Sequence, residues 1–324
     1  GFWEEAGSTL NSLVDIKGSY TISGPVELSI IAGGTGHTLD DSGSGAQNNA
    51  IIGGNINEIR DSDNSIIGGG NNSSIDKESD GVAIFAATTS TIDNSTDSAI
   101  IGGVTNTIGT TSMLTVHNSI ILGGTGNDMF TTGVDTVVQS AIVGGSSSII
   151  SASEDSAIIA GNSNQIQGSA LRSVIIGGGG VGSGNFIGIG GISTDSVLLG
   201  GGDNNIASTG AVKSGAIIGG SSNELTNAIS SVIIGGGTNV LDGFNNSVVI
   251  GGTGLAALAD DTVYVPNLNI NDTPATEPVV GLGLDVDNNV VLMGIAGEEI
   301  CGESIDCPTG GPVAGDGLIF DGTN

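Results

Sequence analysis

Ser98-Ala-Ile-Ile-Gly-Gly-Val-Thr-Asn-Thr-Ile108 is one copy of a unit that recurs along most of the 324-residue chain. The copies align on the first glycine of the Gly-Gly pair, a position that alanine takes in two copies. The thirteen aligned positions are Gly33, Gly53, Gly68, Ala86, Gly102, Gly123, Gly144, Ala160, Gly177, Gly200, Gly219, Gly235 and Gly251. Their mean spacing is about 18 residues, and units of this length bury a core only by stacking on their neighbours. The sequence therefore predicts a solenoid.

Within each unit, two short segments are predicted to form strands. The β-branched run before Gly-Gly predicts a strand that ends in a turn. An asparagine recurs four residues after the aligned glycine, where it suits a tight corner and a stacked side-chain ladder, and an apolar residue recurs two positions later. The asparagines are Asn57, Asn72, Asn106, Asn127, Asn164, Asn204, Asn223 and Asn239. We expect an all-β fold, a parallel β-solenoid (β-roll or β-helix) of about thirteen rungs, and a rod on the order of 60 Å long.

Both faces of the predicted strands are apolar. In Ala99-Ile100-Ile101, successive side chains point to opposite faces, so one face fills the interior and the other needs a cover. Self-association would provide that cover, and three chains with cyclic symmetry would close around one apolar stripe. The sequence therefore predicts an intertwined or side-by-side homotrimer. The alternative is a single wide β-helix that encloses both apolar sets.

Composition sets the expected domain boundaries and disfavours some partners. Five of the six prolines lie at or beyond Pro266, which predicts an N-terminal cap or docking segment at 1–28, a solenoid shaft at 29–254 and a β-rich C-terminal region at 255–324. Five basic residues against 34 acidic ones give a net charge of −29, which disfavours nucleic acid as a partner. No apolar run has the length of a membrane helix, so no membrane insertion is expected.

Two parts of the chain resemble known families. Asn246-Ser-Val-Val-Ile-Gly251 and Asn118-Ser-Ile-Ile-Leu-Gly123 resemble the Asn-Ser-Val-Ala-Ile-Gly repeat of YadA-type trimeric autotransporter adhesin heads. That resemblance implies a left-handed parallel β-roll that trimerises. The chain departs from the family in its doubled glycine and longer rung, and its sequence contains neither the heptad stalk nor the outer-membrane anchor strands of those adhesins.

The C-terminal region resembles a different group of proteins. Asp261-Thr-Val-Tyr-Val-Pro-Asn-Leu-Asn-Ile270, followed by Val280-Gly-Leu-Gly-Leu-Asp-Val-Asp-Asn-Asn-Val-Val-Leu292, is similar to the segment near the end of phage tail-fibre and related appendage proteins. In that group the segment often precedes a self-cleaving trimerisation chaperone, which does not occur in this sequence.

Residues with catalytic or metal-binding chemistry are few, and the sequence predicts no catalytic residue, no enzyme activity, no cofactor and no metal site. His37 takes the asparagine corner position of its repeat, and His117 lies in an insertion before Asn118. Gly123-Gly-Thr-Gly-Asn-Asp-Met-Phe130 fits a calcium-binding repeat pattern. Calcium in that pattern is shared between successive turns, so a single copy cannot build the site.

The binding candidates are aromatic residues, because glycans favour aromatic platforms. Phe130 and Phe186 lie in irregular stretches that are predicted to be loop insertions, whereas Phe85 replaces the second isoleucine of its repeat and is predicted to lie in the core. Cys301 and Cys307 can close a small disulfide loop, pair between chains or remain two free thiols.

These observations predict a structural fibre of a virus particle, a phage tail or capsid fibre, located on the virion outside cells. Its expected partners are two further copies of itself, a glycan or protein of the host-cell surface, and other virion proteins that contact one terminus. The alternative is a trimeric adhesin on a bacterial cell surface, and a less favoured one is a polysaccharide-degrading β-helix.

Overall fold

A computed structural model describes residues 20–24, 28–40, 47–76, 79–109, 116–131, 136–180, 184–188, 191–206 and 210–266. It also describes the backbone of three strands, Leu13–Val14, Gly281–Leu284 and Val290–Met293. The chain divides into two compact units, Gly1–Pro266 and Asn267–Asn324. In the second unit, the described residues form an antiparallel hairpin of Gly281–Leu284 with Val290–Met293.

The first unit is a parallel β-solenoid of about thirteen turns, and its described residues form strands and no helix. Each strand pairs in parallel with the equivalent strands of the turns before and after it. Ile100, for example, lies between Ile84 and Ile121. This confirms the predicted all-β class and the predicted parallel solenoid.

The strands of the first unit form three sheets. The first sheet has fifteen strands: Leu13–Val14, Ile30–Ala32, Ala50–Ile52, Ile66–Gly68, Ala83–Phe85, Ala99–Ile101, Ile120–Leu122, Ala141–Val143, Ala157–Ile159, Val174–Ile176, Val197–Leu199, Ala216–Ile218, Val232–Ile234, Val248–Ile250 and Val263–Tyr264. The second sheet has thirteen: Tyr20–Ser23, His37–Asp40, Glu58–Arg60, Ser74–Asp76, Thr91–Asp93, Thr107–Gly109, Asp128–Phe130, Ile149–Ser151, Gln165–Ile166, Phe186–Ile187, Asn205–Ile206, Glu224–Thr226 and Val240–Asp242.

The third sheet has seven strands that the repeat did not reveal. They are Ser95–Thr96, Val116–His117, Val137–Val138, Ser153–Glu154, Ala170–Leu171, Gly191–Thr194 and Gly210–Lys213. The expectation of two strands per turn is therefore wrong for these seven turns. Five of the seven strands are only two residues long, which is too short to leave a recognisable alternation in the sequence.

The core is formed by the inward-facing residues of the first two sheets, and the third sheet adds Val116, Val137, Ala170 and Val212. The middle residue of each first-sheet strand stacks on its equivalents, as Ile84, Ile100 and Ile121 do, and all three are fully buried. Ile92 and Ile108 stack in the same way in the second sheet. One continuous aliphatic column therefore runs through the stack, and each turn is stabilised by its neighbours rather than by itself.

A hydrogen-bonded ladder fills the corner between the first and second sheets. The side chain of Asn127 accepts a hydrogen bond from the Ser148 N–H at 3.0 Å, and its amide donates to the Gly144 carbonyl at 3.2 Å. Asn127 in turn donates its own N–H to the Oδ1 of Asn106 at 3.0 Å. Because Asn106, Asn127 and Ser148 are fully buried, the ladder satisfies backbone N–H groups that water cannot reach.

In one turn the fold corrects the sequence alignment by one residue. Gly68 pairs with Ile52 and Phe85 in the first sheet, so the glycine pair of this turn is Gly69-Gly70 and not Gly68-Gly69. The residue that occupies the corner position in this turn is shifted by one as well. Ser73, and not Asn72, donates its N–H to the Asn57 side chain in the ladder, while Asn72 is exposed.

Candidate interaction surface

The most distinctive surface of the described residues is the outward side of the first sheet, here called the apolar face. It consists of the first and third residues of each strand from Ala50–Ile52 to Val248–Ile250. The first column contains Ala50, Ile66, Ala83, Ala99, Ile120, Ala141, Ala157, Val174, Val197, Ala216, Val232 and Val248. The third column contains Ile52, Gly68, Phe85, Ile101, Leu122, Val143, Ile159, Ile176, Leu199, Ile218, Ile234 and Ile250. Neither column contains a polar side chain.

A single chain encloses only one of the two apolar sets that the sequence predicts. Ile100 is 0% exposed, whereas its neighbour Ile101 is 45% exposed, and Ile218 and Ile250 are about equally exposed. The alternative expectation, one wide helix that encloses both sets, is therefore wrong. Successive side chains of a strand point to opposite faces, so when the middle residue points into the core its two neighbours point outward.

The apolar face is large for an exposed surface. Twelve turns at about 4.8 Å each, with a width of three strand residues or about 10 Å, give an area of roughly 600 Å². Monomeric soluble proteins rarely expose a larger contiguous apolar patch than about 300–600 Å². The apolar face therefore lies at the upper end of this range, where exposed patches are often functional.

A polar rim borders the apolar face along the corner that precedes the first sheet. One residue per turn adopts a positive φ there, among them Asp97, Asn118, Asp155 and Asp195. Asp195 accepts hydrogen bonds from the Arg172 guanidinium at 2.6 and 3.1 Å. An apolar centre beside a polar rim is the usual anatomy of a protein–protein interface.

Phe85 lies on the apolar face and not in the core, which corrects the sequence-based expectation. It is 39% exposed, and its ring lies over Gly68 of the preceding turn. A Cβ atom on Gly68 would lie only 2.4 Å from Phe85 Cδ1. The ring thus occupies the space that a side chain at position 68 would take.

Phe130 and Phe186 are both in strands of the second sheet rather than in loop insertions. Phe130 ends the strand Asp128–Phe130, Phe186 begins the strand Phe186–Ile187, and both are partly buried. Three strand steps, about 14 Å, separate them along the stack. They are not brought together into one platform, and their role in binding stays a prediction.

His37 lies in the corner ladder, in line with the asparagines. Its Nδ1 accepts a hydrogen bond from the Asn57 N–H at 3.2 Å, and the side chain is buried. Burial lowers the pKa of His37 below its ordinary value. Only the neutral imidazole can accept the Asn57 N–H, so the ladder at this turn depends on a deprotonated histidine.

We expect acid to weaken this end of the stack through His37. Because the pKa of His37 is lower in the folded than in the unfolded chain, its contribution to stability is complete above about pH 6.5 and is lost as the pH falls through the lowered value. The measurement compares unfolding midpoints of the wild-type protein and His37→Asn at pH 7.5 and 5.5. The variant should lose less stability on acidification, since asparagine accepts the same N–H without titrating. Equal losses in the two proteins would contradict the role of His37.

The remaining titratable residues form no metal-binding cluster in the part of the chain that the structure describes. His117 lies in the third sheet, hydrogen-bonded to Thr96. Asp128 of the calcium-like motif begins a second-sheet strand. Burial raises the pKa of Asp128, and a hydrogen bond from Thr107 lowers it by a smaller amount. No three His, Cys, Asp or Glu side chains among the described residues could hold a metal ion.

Cys301 and Cys307 lie outside the described residues. Within the described ranges, no helix is long and apolar enough to cross a membrane.

A scan against protein-family models finds no match to this chain, and neither does a search of curated proteins.

Proposed function

We propose that the protein is a structural fibre, part of a virus particle, in which three copies associate side by side through their apolar faces. The observation that carries the proposal is the apolar face itself, which extends along twelve turns of a parallel stack. Continuous ladders of hydrogen bonds and apolar side chains join the turns and make the stack stiff along its axis. A stiff rod suits a fibre whose host-binding end must be kept at a distance from the virus particle.

The size and chemistry of the apolar face favour another copy of the chain as its partner. A typical stable interface buries about 800 Å² on each partner, and the apolar face supplies roughly 600 Å² before its adjoining rim is added. Identical rods offer identical repeat spacings, so turn meets turn along the whole length. Cyclic symmetry closes such an assembly, and three copies present each distal contact three times, which raises avidity for a host surface.

Charge opposes this association and predicts how it responds to salt. Each chain carries a net charge of −29. Three such chains repel one another. Salt weakens this repulsion, and at physiological ionic strength charges more than about 8 Å apart are largely screened. The hydrophobic contact must therefore exceed the repulsion, and the assembly should be favoured at higher salt.

The test is a single charge placed in the apolar face. We expect Ile101→Asp, or the equivalent Ile218→Asp, to convert the oligomer to smaller species, because association would bury an unpaired carboxylate. The matched control is Ile149→Asp, which changes an outward isoleucine of the second sheet. Native mass by light scattering after size exclusion distinguishes the outcomes. An Ile101→Asp protein that remains the same soluble oligomer would show that the apolar face is not the contact.

A further inference from the structure

The third column of the apolar face is close to uniform over much of its length, so there it does little to fix how two copies align along their length. From Ile159 onward, the third column contains only isoleucine and leucine. If one copy slides along another by a single turn, about 4.8 Å, each third-column side chain in this part of the face again meets an isoleucine or a leucine. Repetitive strand surfaces are prone to this kind of slippage.

Gly68 and Phe85 interrupt this regularity at one place. The third column reads Ile52, Gly68, Phe85, Ile101 along successive turns. Phe85 is the only aromatic residue of the apolar face, and its ring covers the position that lacks a side chain at Gly68. The two residues therefore form one local feature, a protruding ring beside a vacated position, which no other pair of turns in the face reproduces.

We propose that the Gly68–Phe85 pair sets the axial register in which copies of this chain associate. This inference rests on the proposed side-by-side association and names the residues that make it specific. In a cyclic assembly, equivalent residues lie at the same height, so the three Phe85 rings meet one another, where aromatic side chains pack favourably. After a slip of one turn, each ring meets an isoleucine or the vacated position instead. Staggered copies would also not close, and would grow into open filaments.

A double substitution removes the feature without introducing polarity. Gly68→Ile with Phe85→Ile gives a third column of four consecutive isoleucines, Ile52 to Ile101. The backbone permits it, because Gly68 has no positive φ. The single change Gly68→Ile would instead clash with the ring, so both changes are made together. Leu122→Ile in the same column is the matched control, since it alters shape where no such feature exists.

Disulfide trapping between chains reports the register. Two differently tagged chains, one with Val143→Cys and one with Ile159→Cys, are coexpressed in a background where Cys301 and Cys307 are serine. These positions are neighbours in the third column, one turn apart. A disulfide needs Cβ atoms about 3.5–4.5 Å apart, which is less than the rise of one turn, so pairs between like sites report the aligned register and pairs between unlike sites report a slip of one turn.

The expected result is like-site disulfides alone in the wild-type and Leu122→Ile backgrounds, and both kinds in the Gly68→Ile/Phe85→Ile background with a broadened native mass. If the double variant keeps a single mass and like-site disulfides alone, the Gly68–Phe85 pair does not set the register. If the wild-type protein is a monomer with no trapped pairs, the proposed association itself is wrong, and this inference falls with it.

Discussion

Replacing Gly124 with alanine is expected to destabilise the stack severely, whereas replacing the adjacent Gly123 is expected to be tolerated. A Cβ atom on Gly124 would lie 2.5 Å from the carbonyl oxygen of Gly145 in the next turn and 2.3 Å from the amide nitrogen of Asn127. A Cβ atom on Gly123 would meet no heavy atom within 4 Å. The two glycines of each repeat are therefore required for different reasons.

The first glycine of the pair is needed for conformation alone. Gly123 has a φ of +70°, which costs an L-residue about 1–2 kcal/mol. Alanine is tolerated at this position elsewhere in the chain, because Ala86 and Ala160 occupy the equivalent position with φ of +52° and +59°. We expect Gly123→Ala to lower the free energy of unfolding by about 1 kcal/mol.

The second glycine is needed for space as well. Alanine at position 124 must either push the next turn away or leave the positive φ, as Ala87 does at the equivalent position. Either change disturbs the parallel hydrogen bonds of the neighbouring turns, so we expect a loss above about 3 kcal/mol. Denaturant unfolding followed by circular dichroism, at one protein concentration for both variants, measures the difference. Similar losses for Gly123→Ala and Gly124→Ala would show that contact between turns does not set the glycine requirement.

The second large effect is expected at Asn127 in the corner ladder. Asn127→Leu keeps the volume of the side chain but removes the acceptor for the Ser148 N–H and the donor to the Gly144 carbonyl. The buried Ser148 N–H then lacks that partner, at about 1–3 kcal/mol, and the part-buried Gly144 carbonyl adds a smaller penalty, so we expect a total loss of about 3 kcal/mol.

Asn127→Ser is the matched control for this position. Serine occupies the same corner at Ser90, where its Oγ accepts the Asn106 N–H at 3.2 Å. We expect the serine variant to lose about 1 kcal/mol, since it keeps the acceptor and loses the amide donor. Unfolding midpoints measure both variants, and hydrogen exchange at the Ser148 amide shows whether the loss is local. A leucine variant as stable as the serine variant would contradict the role of the ladder.

The periodic features of the fold could be read from the sequence because each one repeats. Gly-Gly marks the turn, the recurring asparagine marks the corner, and the apolar run marks the first-sheet strand. These signals predicted the solenoid and the placement of most first-sheet strands. They also predicted that Ile100 and Ile101 would face opposite ways.

The irregular features could not be read in the same way. In Ser65-Ile-Ile-Gly-Gly-Gly70 the glycine pair can be aligned in two ways, and only strand pairing decides between them. When both faces of a strand are apolar, hydrophobicity carries no information on which residues are inside, which is why Phe85 was expected in the core. Phe130 was expected in a loop because length variation in its repeat hid a regular strand.

The central claim is that the chain functions as an assembly held by its apolar faces, and the native mass of the wild-type protein tests it most directly. Light scattering after size exclusion should give about three times the 31.5 kDa mass of one chain, with association strengthened as salt is raised. A mass of one chain at every salt and protein concentration would contradict the account, because the apolar face would then be exposed to water in the functional protein.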